Sequence, residues 1–134
     1  MAVLSDHKTV GVPFRNSSSL VRVEYDFAND TGAVADYDVL TAGGAILVEY
    51  VGCDVETALT SGTDFDIDLG KSAGGSEFWS DNAKAVYALD AQVGPAAGET
   101  KIVELAEGEK IVMGIETAAA TAGKMHMMFR VYAR

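Results

Sequence analysis

The chain has 134 residues, one cysteine, two histidines and a formal net charge of −10 at pH 7, from 20 Asp and Glu against 10 Lys and Arg. That length makes one domain able to bury its own core. A lone Cys53 forms no intrachain disulfide, and His7 and His126 offer no zinc-ligand spacing.

The charge is uneven. Residues 23–100 hold fifteen acidic and two basic residues, which argues against a phosphate-tracking groove and against nucleic acid as a partner. No apolar run reaches the roughly 18 residues that span a bilayer, and MAVLSDHKTV lacks the charged-then-apolar order of a secretory signal. The expectation is synthesis in a cytoplasm, with no membrane partner.

Residues 1–19, MAVLSDHKTVGVPFRNSSS, show no clear period and end in a polar run from Asn16 to Ser19. They read as an extended N-terminal arm in which Val10, Val12 and Phe14 alternate as if laid on another surface. The alternative is an edge strand of the chain's own domain. Residues 20–134 then form a single β-sandwich domain.

From Leu20 the period is two: Val21, Val23, Tyr25 and Phe27 face one way, and Arg22, Glu24 and Asp26 the other. Asn29 to Gly32 turns the chain, and Val34 to Thr41 is a second strand. Gly43 and Gly44 break it, and AILVEYVGCDVET is a third, with Gly52 a candidate bulge. Ser61 and Gly62 mark the next turn.

Thr63 to Gly70 reads TDFDIDLG. Phe65, Ile67 and Leu69 interleave with Asp64, Asp66 and Asp68, the pattern of a half-buried strand. Counted from Asp64, a calcium loop would need Gly at the sixth position and Glu at the twelfth, where Leu69 and Gly75 stand. Carboxylates on one side of a strand are about 6.5 to 7 Å apart, too far for all three to grip one ion on a straight strand. No metal is assigned.

KSAGGSEFWS has neither phosphate-loop spacing. Its Phe78 and Trp79 are core side chains or, alternatively, an exposed contact together with Tyr87. Ala83 to Leu89 fits a short helix or a strand. After the loop Gln92 to Thr100, Lys101 to Leu105 and Lys110 to Glu116 form a hairpin around AEGE. Thr117 to Gly123 is a small-residue loop, and KMHMMFRVY is the last strand. About eight strands at short intervals predict an all-β, antiparallel sandwich or barrel.

Catalytic chemistry has little to work with. His7 lies in the arm and His126 inside a strand between methionines, so neither pairs with a Ser or Cys and an orienting group. A cupin-type site would want several converging histidines. Among twenty acids nothing singles out a pair for glycoside hydrolysis. The expectation is a protein that is not an enzyme, with no catalytic residues and no cofactor. Met113, Met125, Met127 and Met128 read as adaptable core filler, or as an adaptable interface.

The arm KTVGVPF, the strand VRVEYDF, the alternation DFDIDLGK and the closing AEGEKIVMGIETAAATAGKMHMMFRVY together resemble the decoration, or cement, proteins of tailed bacteriophages. The resemblance spans nearly the whole chain and is most distinctive over residues 106–132. It implies a jelly-roll-like antiparallel β-sandwich that docks on the capsid exterior, binds the major capsid protein, often as a homotrimer, and stabilises the shell. On that reading Val10, Val12, Phe14 and Arg15 are the capsid contacts. A second reading is a carbohydrate- or receptor-binding sandwich module using Phe78, Trp79 and Tyr87.

Overall fold

The computed structural model describes residues 2–94 and 102–134. They form β1 (Ala2–Val10), β2 (Ser18–Asp26), β3 (Ala35–Ala42), β4 (Ile46–Ser61), β5 (Asp66–Lys71), β6 (Trp79–Ala83), β7 (Gln92–Val93), β8 (Ile102–Leu105), β9 (Lys110–Glu116) and β10 (Ala120–Ala133). One short helix, α1 (Phe27–Asp30), ends β2, capped by the Asp26 side chain on Ala28 N–H. Of the predicted loop Gln92–Thr100, Gln92–Val93 is instead β7, and residues 95–100 lie outside the described residues.

The strands build two facing sheets, in the orders β1-β3-β9-β5-β6 and β2-β10-β4-β7, with β8 also on β4. Their antiparallel pairings are nested: β2 with β10, β3 with β9, β4 with β7 and β8, β5 with β6. A long hairpin rolled so that successive strands alternate between sheets has this pattern, which is the jelly roll. The strand periodicity read from the sequence is thus realised as a sandwich.

Between the sheets the odd-numbered side chains of β2, Val23 and Tyr25, meet Met125, Met127, Phe129 and Val131 of β10, all fully buried. An aromatic group fills the centre: Tyr50 stacks on Phe78 at 5.5 Å and meets Trp79 edge-on at 5.7 Å, and Trp79 meets Tyr87 at 5.3 Å. Gly52 does lie at an irregularity, since β10 pairs Met128 with Gly52 and Phe129 with Tyr50, leaving Val51 as the extra, half-exposed residue. Met113, Met125 and Met127 are core residues.

Three expectations are corrected. Ala2–Val10 is not a free arm but an edge strand, and it runs parallel to β3, so that sheet is mixed and not wholly antiparallel. Leu4 and Val10 are buried in the core, which ties the segment down; a register shift between Val3 and Lys8 erases the alternation that would have announced it. The predicted loop Thr117–Gly123 is strand from Ala120 onward, because its small residues allow β4 to approach. A Cβ on Gly123 would stand 2.7 Å from Leu59 Cδ1, and the glycine's φ of 139° is itself unfavourable for other residues. Ala83–Leu89 contains the end of β6 and one 3-10 turn, Lys84–Tyr87.

Two outcomes follow from this core. Trp79→Ala should lower stability by about 3–5 kcal/mol, measured by urea unfolding, whereas Phe14→Ala should change it little. Burial, with Asp54 adding to it, pushes the Cys53 thiol up to about 12. The folded protein should therefore resist a thiol-specific disulfide reagent at pH 8, and the unfolded chain should react at once.

Candidate interaction surface

The segment joining β1 to β2 is held in one shape. Val10 carbonyl accepts Gly43 N–H at 2.8 Å, fixing the exit from β1. Val12 then leans on Gly44, whose missing side chain leaves the room: a Cβ there would lie 2.5 Å from Val12 Cγ2. At the tip, Ser17 donates both its N–H, at 3.1 Å, and its hydroxyl, at 2.7 Å, to the Phe14 carbonyl. Asn16 takes the left-handed conformation the turn requires, φ 65°, which asparagine tolerates better than most residues. The turn displays Phe14, 89% exposed, with Arg15 exposed beside it.

Next to this turn, β1 and β2 are the edge strands of their respective sheets and lie side by side. Along β2 the even-numbered residues aim their N–H groups away from β10. Two are capped by carboxylates: Asp6 accepts Glu24 N–H at 2.8 Å, and Asp30 accepts Asp26 N–H at 3.0 Å and Ser5 N–H at 2.6 Å. Leu20 and Arg22 N–H have no partner among the described residues. Between the two edges at that end runs a cleft of about 330 Å³, bordered by Lys8, Thr9, Val10, Leu20 and Arg22.

This corner is basic, on a chain of net charge −10. Arg130 lies directly across from Leu20 and Met128 across from Arg22, so the two arginines are diagonal neighbours on the outer face. Arg15, Arg22 and Arg130 are exposed and have no ion-pair partner among the described residues, while Lys8 is bonded to Asp6 at 2.6 Å. Leu20 (63% exposed) sits among these charges.

The opposite charge gathers on the outer face of the other sheet. The aspartates of TDFDIDLG do not share one partner. Asp64 accepts Lys84 N–H at 2.9 Å, Asp66 accepts the Thr117 hydroxyl at 2.9 Å, and Asp68 accepts Asp81 N–H at 2.7 Å. Asp68 is nearly buried, and oxygens of Asp68, Asp81 and Glu116 lie within 4.8 Å of one another. Gly114 makes the space: Asp36 Oδ1 is only 3.0 Å from where its Cβ would be. A shared hydrogen bond with Asp68, and the Asp68 charge, hold the Glu116 carboxyl above the usual range; the charge of Asp68 does the same to Asp81.

On the outer face of the β2 sheet, His126 reaches Glu56 at 3.3 Å and Glu24 at 3.5 Å. Lys124 lies 3.3 and 3.9 Å from the same two carboxylates, so one ammonium is shared between them. His7 Nε2 meets the Thr41 hydroxyl at 2.8 Å.

The residues expected to touch a partner are thus divided. Phe14 and Arg15 are exposed together and Val12 is half-exposed, but Val10 is 7% exposed, faces the core and offers no contact side chain. The alternative set is overturned: Phe78, Trp79 and Tyr87 are all fully buried, because their rings complete the central aromatic cluster and leave no face for a sugar or receptor. Leu20, Arg22 and Arg130 were missed as a group. Their only sequence signal was a leucine starting a strand among serines, and no spacing says that β2 is an edge.

The architecture is that of proteins found in phage capsids. A chain from the capsid of Ralstonia phage GP4 superposes with a TM-score of 0.64 at 16% identity, over 94% of this chain and 98% of that one. A chain of the cyanophage Pam1 capsid asymmetric unit gives 0.60 at 15% identity, over 93% and 91%. One from the acidic stable capsid of Helicobacter pylori bacteriophage KHP30 gives 0.60 at 15%, over 88% and 89%. No family model and no curated protein matches the sequence.

The acidic face makes a pH prediction. A carboxyl raised in the folded state contributes stability below its unfolded value, and that contribution is lost as pH rises through the raised value. At neutral pH the crowded carboxylates therefore oppose folding. Glu116→Gln should raise the melting temperature at pH 7, with the gain shrinking toward pH 4, as read by thermal scans across that range.

Proposed function

We propose that this chain is a virion structural protein that decorates the outside of a phage capsid and stiffens the shell, without enzymatic activity. The observation that carries the reading is the likeness to capsid chains over nearly the full length of both partners. The partner is the major capsid protein, and a homotrimer is the favoured assembly, by the resemblance of the sequence to cement proteins.

The surface supports this use. A rigid sandwich presents a basic, partly apolar corner and turns an acidic sheet face elsewhere. Screening leaves exposed ion pairs worth well under about 1 kcal/mol each at physiological salt. Phe14, with Val12 beside it, is then the main anchor, and Arg15 orients it. Residues 11–17, and not the whole of 1–19, do the reaching.

The test is co-sedimentation with heads of the phage that encodes the protein, prepared without it. The wild type should pellet at a fixed stoichiometry and raise the temperature at which heads burst. Phe14→Asp, whose fold should be intact, should lose most of that binding. A wild type that stays in the supernatant, or a Phe14→Asp protein that pellets equally, would contradict respectively the capsid role and the anchor.

A further inference from the structure

We infer that the open half of the β2 edge, Ser18 to Arg22, accepts an extended acidic segment of the shell protein as an added antiparallel or parallel strand. The inference rests on the capsid-binding reading and names the part of the partner that would be held and the way it is held.

The edge is treated differently along its length. At its C-terminal end the outward N–H groups of Glu24 and Asp26 are capped by Asp6 and Asp30, so no strand can pair there. At its N-terminal end those of Leu20 and Arg22 have no partner among the described residues, and the side chain over them is an exposed leucine. Edges that are protected against pairing carry inward charges, prolines or bulges. Here the protection covers Glu24 and Asp26 and does not reach Arg22 or Leu20, and the cleft beside the open half leaves room for alternate side chains of an incoming strand. Backbone bonds would supply affinity, and the side chains on either face the selectivity.

Charge selects the occupant. A strand laid on β2 would run past Arg22 and Arg130 on its outer side and Lys8 in the cleft, with Arg15 on the adjoining turn. A second copy pairing through this same edge would bring Arg22 and its neighbours against their own equivalents, which opposes a symmetric dimer. An extended segment with carboxylates at alternate positions matches the corner.

The probe is a short synthetic peptide alternating valine and glutamate, added to the full-length protein. Binding should slow amide exchange at Leu20 and Arg22 and leave Glu24 and Asp26 unchanged, and it should weaken as salt is raised. Leu20→Pro removes an outward N–H without touching a β10 bond, so the sandwich should keep its urea midpoint. It should weaken peptide binding by about tenfold, the equivalent of one or two net hydrogen bonds. Arg22→Glu, which leaves the backbone intact, should weaken it similarly and reduce its salt dependence.

Unchanged exchange at both amides, wild-type binding by both variants, or a concentration-dependent dimer that Leu20→Pro abolishes would each overturn the inference. Heads separate it from the capsid reading. Wild-type protein that pellets while both variants pellet equally removes the edge alone, and a wild type that never pellets removes the capsid role.

Discussion

Everything in this sandwich depends on β10 being paired along both sides. It bonds β2 on one side and β4 on the other, and its inward residues Met125, Met127, Phe129 and Val131 are fully buried. With β10 in place, β4 can carry β7 and β8 on its far side, and β2 is left with one open edge. The two flexible methionines pack between Val23, Tyr25, Cys53 and Val55 of the flanking strands. The position of β10 also sets the outer face, where His126, Lys124, Glu24 and Glu56 form a rung across three strands.

Strand content was legible because period two survives wherever one face is buried. Val23, Tyr25, Phe65, Ile67 and Leu69 obeyed it. The pattern failed where local geometry was irregular. In β1 the register shift hides the alternation, and in β10 the residues TAG look like a loop because their smallness serves a close approach to Leu59. The candidate surface was legible in part. Phe14 and Arg15 stood out as a reaching segment, while Val10 carried the same alternation for a different reason, as a core residue. Which strand is an edge is a property of the topology, so Leu20 and Arg22 could not be grouped with Arg130 from spacing alone. For the aromatic residues two readings stood open: Phe78, Trp79 and Tyr87 could be core or contacts, and the requirement to fill the space between two sheets decided for core.

The charge distribution becomes intelligible once the faces are known. The acidic middle of the sequence is not one patch, since its aspartates cap separate backbone and hydroxyl donors. Yet around Gly114 the carboxylates of Asp68, Asp81 and Glu116 do crowd, and Asp68 raises the other two. Of the basic groups, Arg15, Arg22 and Arg130 stand without ion-pair partners among the described residues near the open β2 edge, while Lys71, Lys110, Lys124 and Arg134 are each paired with carboxylates elsewhere.

The nested pairing has a consequence for how the protein is made. β10 follows each of its partners in the chain, and β2 must wait for it across nearly the whole sequence. Closing so long a loop is slow, and during synthesis β2 and β4 emerge without the strand that joins them. Their edges are then bare on both sides, a state in which neighbouring nascent chains could pair wrongly. The acids spread through residues 23–100 emerge in that same interval, and like charge of that kind opposes such pairing.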